Sequence, residues 1–107
     1  MPPWIFWAWL ALVLFVNHLP MGPEKTIDIP GIDKLVHFVE YGIAGALSFL
    51  AYNVRVIFAF LGLSLLAAAD EFMQGFVPSR NPDILDWLCD CAGGLTGIMG
   101  AFLWTRR

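Results

Sequence analysis

Four long apolar stretches, separated by proline- and glycine-rich loops or by a short polar turn, constrain this chain more than any other feature. They cover about residues 4–19, 34–52, 56–76 and 84–104. The stretches are longer than ordinary strands and show no alternation of apolar and polar residues. Because a backbone in lipid must satisfy its own hydrogen bonds, only helices or closed barrels can span a membrane. The sequence therefore predicts an all-α fold, a four-helix transmembrane bundle in which residues 1–107 form a single domain.

The composition agrees with a surface that faces lipid. Hydrophobic residues make up 59% of the chain and charged residues 14%, whereas soluble domains carry about 25% charged residues. Five Trp and nine Phe are typical of proteins that place aromatic side chains at the level of the lipid headgroups. The net charge of −3 and the lack of a basic stripe argue against nucleic acid as a partner, since nothing would neutralise its phosphates.

The distribution of charge predicts the orientation in the membrane. Four spans place both termini and the turn after the second span on one side, whose charged residues are Arg55, Arg106 and Arg107. The other side holds all nine carboxylates and the remaining three cations, so basic residues alone divide evenly. Lys34 and Arg80 lie among acids whose charge they can balance, and we therefore leave them out of the count of basic residues. The positive-inside rule then predicts cytoplasmic termini and an acidic side that faces outward.

Polar and ionisable residues collect near the outer ends of three predicted spans. Such residues are costly in lipid and therefore mark candidate functional sites. At 1.5 Å per residue, they lie within roughly 10 Å of the outer ends. We predict that they form one functional cluster with these members: Lys34, His37, Tyr41, Glu71, Gln74, Arg80, Asp86 and Asp90. Two simpler interpretations stay open, namely ion pairing without a ligand and, for Asp33, Asp83 and Asp86, capping of a helix N-terminus.

Small residues continue the polar face of the fourth predicted helix. Gly94, Gly97 and Ala101 share one arc with Asp86 and Asp90. Because small side chains allow two helix backbones to approach closely, this face is predicted to contact another helix.

Three short motifs lie in order at the outer ends of the predicted spans. They are Asp33-Lys34-x-x-His37-x-x-x-Tyr41, Asp70-Glu71-x-x-Gln74-x-Phe76-x-Pro78-x-Arg80, and Asp83-x-x-Asp86-x-x-x-Asp90-x-x-Gly93. Together they resemble the VanZ-like family over about residues 33–97. The resemblance implies a bacterial inner-membrane protein. The founding member is associated with resistance to teicoplanin, a glycopeptide that acts on lipid-linked cell-wall precursors. In one departure, this chain has Asp90 where the family usually has Asn.

Our first hypothesis for function is binding or modification of an envelope amphiphile at the outer leaflet. Lys34 and Arg80 could hold an anionic phosphate, and Arg80 could do so through its two-pronged guanidinium group. The carboxylates would then face a cation, a sugar or an amine. Pro78 and Pro82 restrict the loop around Arg80. We expect Arg80 to fold back over the cluster and pair with Glu71 or Asp86.

Two other hypotheses remain open at this point. An intramembrane enzyme could use His37 as a general base, with Glu71 or Asp86 orienting it and Arg80 stabilising developing charge. In that case a Mg²⁺ or Mn²⁺ ion could be held by His37, Glu71, Asp86 and Asp90. A structural module could instead assemble with a second copy or another membrane protein and have no site. The sequence identifies no cofactor and does not decide whether the protein is catalytic.

The predicted orientation can be tested with reporter fusions after Arg107. We expect a reporter that is active only in the cytoplasm to be active there and a periplasmic reporter to be silent, because Arg55, Arg106 and Arg107 would be retained on the cytoplasmic side. An active periplasmic reporter at this position would contradict the orientation.

Overall fold

The computed structural model describes residues 1–18, 32–76 and 84–106, with the backbone alone at position 33. Within these ranges the chain forms four helices and no strand. They are α1 (Pro3–Asn17), α2 (Ile32–Tyr52), α3 (Val56–Gln74) and α4 (Ile84–Thr105). The predicted all-α fold is thereby confirmed. The proposed caps Asp83 and, for its side chain, Asp33 lie outside the described residues.

Three of the helices are suited to crossing a membrane. By length and composition, α2, α3 and α4 are each long and apolar enough to span it, whereas α1 is apolar but shorter. The 15 residues of α1 rise only about 22 Å. Large apolar side chains such as Leu65, Phe76 and Ile84 are at least 70% exposed, as expected for a bundle whose outer surface meets lipid rather than water. The chain is therefore a helical bundle of the membrane-spanning type.

Neighbouring helices in the chain run in opposite directions, so the bundle has two distinct ends. At one end, Trp7 Nε1 near the start of α1 donates to Tyr52 Oη at the end of α2, at 2.5 Å. At the other, Asn17 Nδ2 at the end of α1 donates to Asp70 Oδ2 near the end of α3, at 3.1 Å. We call the end with Asp70 the polar end, where α2 and α4 begin, and the end with Tyr52 the basal end.

The most extensive contact in the bundle joins α2 to α4, which run parallel to each other. Their backbones touch at glycines, as the small-residue stripe predicts. A Cβ atom added at Gly97 would overlap the carbonyl group of Gly42, and one added at Gly93 would overlap the backbone of Phe38. Only glycine lets the two helix axes approach this closely. The relative height of α2 and α4 is therefore fixed along their length.

Two indole groups connect the remaining helices to this central pair. Trp9 Nε1 on α1 donates to the Glu40 carbonyl oxygen on α2 at 2.9 Å. Trp87 Nε1 on α4 donates to the Ser64 carbonyl oxygen on α3 at 3.1 Å. Between these contacts the bundle buries an apolar core from all four helices: Phe6, Leu10, Val13, Tyr41, Ala44, Phe49, Ala59, Leu63, Ala67, Ile98 and Ala101.

The backbone contact between α2 and α4 predicts a contrast between two glycines on α4. Gly97→Ala should lower the free energy of unfolding in detergent by about 1–3 kcal/mol, the usual cost of overpacking a tight contact. Gly100→Ala is the matched control, because a Cβ atom at Gly100 meets nothing within 4 Å. It should leave stability unchanged or slightly raised, since Ala favours helix over Gly. Equal melting temperatures for the two variants would contradict the contact.

Candidate functional site at the polar end

Buried polar side chains are concentrated at the polar end. Among the described residues, the buried polar or charged side chains are Asn17, His37, Asp70, Glu71, Gln74, Asp86 and Asp90. All of them lie in the last turns of α1 and α3 or the first turns of α2 and α4. Burying such groups costs free energy unless they find partners, so their contacts determine what the site can do.

The first set of contacts centres on Asp70, whose side chain is fully buried. Tyr41 Oη donates to Asp70 Oδ2 at 2.8 Å, and Asn17 Nδ2 donates to the same oxygen at 3.1 Å. Gln74 Nε2 approaches Asp70 Oδ1 at 3.5 Å, and His18 Nδ1 lies 3.6 Å from that oxygen. We call these five residues the Asp70 group. One carboxylate therefore connects three helices, because its partners come from α1, α2 and α3.

Helical spacing explains how the Asp70 group forms. Asp70 and Gln74 are four residues apart and so lie on one face of α3. Asn17 is the last residue of α1 and His18 follows it, which brings both to the depth of Asp70. The His18 ring also contacts its own helix, with Nδ1 at 2.7 Å from the Leu14 carbonyl oxygen.

The second set of contacts joins α2 to α4. Lys34 Nζ donates to Asp86 Oδ1 at 2.9 Å, and His37 Nδ1 lies at hydrogen-bond distance from Asp90 Oδ1, at 2.8 Å. His37 Nε2 faces Asp86 Oδ2 at 3.8 Å, which is too long for a hydrogen bond. We call these four residues the His37 group. Both close contacts pair one residue near the start of α2 with one near the start of α4, as the parallel packing of these helices requires.

One oxygen of the His37 group has no hydrogen-bond partner in the described part of the chain. Asp90 is 1% exposed, and its Oδ2 atom is buried and unbonded there, while Oδ1 is engaged by His37. An unsatisfied buried carboxylate oxygen is costly. Tyr41 of the Asp70 group lies one turn after His37 on α2, so the two groups are neighbours. The Oδ2 atom of Asp90 can accept a hydrogen bond that the described residues do not supply.

Comparison with known families agrees with the three motifs. The family model described as VanZ/LLP1 matches residues 4–105. The chain belongs to the VanZ family. Comparison with curated proteins and with solved structures gives no match. The resemblance to VanZ-like proteins is thus confirmed, and the matched range extends beyond the motifs to α1, which supplies Asn17 to the Asp70 group.

Among the described residues of this VanZ-family protein, the metal ligands suggested by the sequence do not form one group. Within residues 1–18, 32–76 and 84–106, no group of three or more His, Cys, Asp or Glu side chains is arranged to hold a metal ion. The hypothetical ligand set His37, Glu71, Asp86 and Asp90 therefore does not form such a group. One physical reason is that His37 Nδ1 and Asp90 Oδ1 contact each other, so neither atom is directed at a shared ion.

The predicted site residues separate into two neighbouring groups. Lys34, His37, Asp86 and Asp90 constitute the His37 group, while Tyr41 and Gln74 contact Asp70 instead. Glu71 is buried on α3 next to Asp70. Arg80 lies outside the described residues, so its expected contact with Glu71 or Asp86 stays a prediction.

Three residues with central contacts were absent from the predicted site. Asp70 belongs to the second VanZ-like motif, yet its role as the shared acceptor depends on contacts between helices that spacing does not reveal. Asn17 and His18 close an otherwise apolar helix. Their position at the outer end of the first predicted span was the available signal, because it matches the depth of the other polar residues.

The two tyrosines of the chain provide a matched test of the Asp70 group. Tyr41→Phe removes the donor at 2.8 Å from a fully buried carboxylate. It should lower the free energy of unfolding by about 1–3 kcal/mol, the usual cost of an unsatisfied buried group. Tyr52→Phe should cost less, because its hydroxyl contacts Trp7 at an exposed position. Thermal unfolding in detergent measures both, and an equal or larger loss for Tyr52→Phe would contradict this account.

Proposed function

We propose that this VanZ-family protein binds the headgroup of a membrane amphiphile at the polar end, on the outer side of the bacterial inner membrane. The observation that supports the proposal most directly is the buried, unbonded Oδ2 atom of Asp90. Native proteins leave few buried polar atoms without a partner. A ligand that donates a hydrogen bond to this oxygen would remove the cost of burying it.

The balance of charge indicates what kind of headgroup fits. The described polar end carries four buried carboxylates, on Asp70, Glu71, Asp86 and Asp90, and Lys34 provides a positive charge there. These carboxyl groups outnumber the single lysine among the described residues, which favours a headgroup with N–H or O–H groups, such as an amine or a sugar. An anionic ligand without donors would be repelled by the same carboxylates.

Lys34 gives the site a second recognition element. Its ammonium group carries three donors, one of which is directed at Asp86, and its side chain is 30% exposed. A phosphate at the polar end could approach the exposed part of Lys34, and Arg80, which lies between α3 and α4 in the sequence, is expected to join it. An envelope lipid that joins a phosphate to sugar or amine groups would satisfy both the cations and the carboxylates.

The geometry of His37 favours an enzyme as the second candidate. When Asp90 is ionised, its Oδ1 atom accepts from His37 Nδ1, which orients the imidazole ring. In the neutral ring Nε2 is then the acceptor, and it has no hydrogen bond to Asp86 at 3.8 Å. A ligand hydroxyl placed at Nε2 could lose its proton to this nitrogen, as in general base catalysis. The same contacts would serve binding alone if no bond in the ligand is broken.

Lipid retained on purification tests the binding proposal. Wild type, Asp90→Asn and Thr96→Ala would be purified from the same membranes in mild detergent, and their lipids identified by mass spectrometry. Wild type should enrich an amphiphile with amine or sugar groups over the bulk lipid. Asp90→Asn should lose this enrichment, because Asn removes the charge and replaces one acceptor by a donor. Thr96→Ala should match wild type, since Thr96 is exposed and its hydroxyl donates to the Ala92 carbonyl oxygen of its own helix.

The same preparation separates binding from catalysis. Wild type and His37→Asn would be incubated with total lipid extract and sampled over time. Conversion of one lipid species to another by wild type but not by His37→Asn would favour the enzyme. Enrichment without conversion would favour binding alone, and a retained lipid profile that equals bulk lipid for all variants would contradict both.

A further inference from the structure

A cavity of about 520 Å³ lies between α1, α2 and α3 towards the basal end. Its walls include Phe6 and Trp7 from α1, Tyr52 from α2, and Phe58, Gly62 and Leu66 from α3. α1 packs chiefly against α2, so a gap remains between α1 and α3. The volume is in the range of sites for small ligands.

The surroundings of this cavity determine which occupant is available. It is bounded by helices of a membrane-spanning bundle, and its rim residues Trp7, Tyr52 and Phe58 are each at least 45% exposed. A gap that opens to the hydrocarbon region of a bilayer meets acyl chains rather than water. An apolar chain loses no hydrogen bonds on entering, whereas water would find few polar partners there.

The two ends of the cavity differ, which gives the occupant a direction. Towards the polar end, the Asn17–Asp70 hydrogen bond joins α1 to α3, and the buried Ala67 lies between Leu66 and that contact. At the basal end, Tyr52 and Trp7 form a polar pair at 2.5 Å of the kind found at membrane interfaces. Polar groups therefore lie at the basal end of the cavity, which we call its mouth, and the other end is the apolar end near Leu66.

Charge at the mouth favours an anionic headgroup. Val54 lines the cavity, and its neighbour Arg55, which is exposed, precedes α3. Neither residues 1–18 nor residues 41–69 contain an Asp or Glu, so the helices around the cavity carry no acid at this end. A basic side chain beside a membrane surface attracts acidic lipids.

We propose that the cavity binds one acyl chain of an anionic phospholipid from the leaflet at the basal end, with the phosphate beside Arg55 and the chain terminus near Leu66. The site is separate from the polar end, so it can be present whether or not the headgroup site proposed above binds an amphiphile. In this arrangement the lipid fills the gap between α1 and α3 and takes the place of side-chain packing that the short α1 does not supply.

Photolabelling from phosphatidylcholine vesicles tests the proposal with defined probes. The vesicles would contain a trace of phosphatidylglycerol with a diazirine in one acyl chain, placed either near the carboxyl end or near the chain terminus. The first probe should label Val54 and Phe58, and the second should label Leu66. The reverse order would assign the chain to the opposite leaflet and overturn the proposal, as would uniform labelling of lipid-exposed residues on all four helices.

Two glycines again provide a matched pair of variants. Gly62→Leu should abolish labelling of the cavity walls, because its side chain would occupy the cavity. Gly100→Leu should not change labelling, since Gly100 is on α4 and does not line the cavity. A Cβ atom meets nothing within 4 Å at either position, so both variants should fold. Unchanged labelling in Gly62→Leu, or labelling replaced by crosslinks to a second copy of the chain, would refute an acyl-chain site.

The headgroup is tested by the ratio of labelling from phosphatidylglycerol and phosphatidylcholine probes. Arg55→Gln should lower this ratio about fivefold, which corresponds to the roughly 1 kcal/mol that one basic side chain contributes near anionic lipid. Arg106→Gln is the control at the same end of the bundle, where its guanidinium group lies 5.2 Å from the centre of the Phe102 ring on α4. An equal fall in both variants would exclude a specific role for Arg55.

Discussion

The backbone contact between α2 and α4 sets the geometry on which the polar end depends. Because Gly93 and Gly97 carry no side chain, α4 approaches α2 until its Cα atoms face backbone carbonyl groups of α2. At that separation, short side chains can bridge the helices. His37 reaches Asp90, and the longer Lys34 reaches Asp86 one turn further out. A wider spacing would leave both carboxylates buried without these partners, at considerable cost.

Asp70 has a complementary role for the helices that lack such close backbone contact. It accepts hydrogen bonds from Asn17 on α1 and Tyr41 on α2 while belonging to α3. Apolar side chains alone give little reason for helices to associate in lipid. Polar contacts of this kind therefore stabilise the association and also determine which helix faces meet. The short α1 is therefore connected to the bundle at its last turn by a specific acceptor.

Much of this fold could be predicted from the sequence, because the length and apolar character of a membrane helix follow from the thickness of the bilayer. The depth of the polar residues could be predicted as well, since each residue adds a fixed rise. The contacts between particular residues could not be predicted, because they depend on the rotation and height of each helix relative to its neighbours. Tyr41 was therefore grouped with His37, although it contacts Asp70. Asn17 was missed because a polar residue at a helix end is ordinary.

The two indole contacts have a consequence for how this bundle can move. Trp9 and Trp87 each donate to a main-chain carbonyl oxygen in the neighbouring helix, at Glu40 and Ser64. A screw motion of α1 past α2, or of α4 past α3, would turn a helix by about 100° for each residue of translation and would break these bonds. Tilting about the indoles would preserve them. These contacts therefore allow the helices to tilt but restrain them from sliding or rotating past each other. The polar end can widen or narrow while the same side chains keep facing inward.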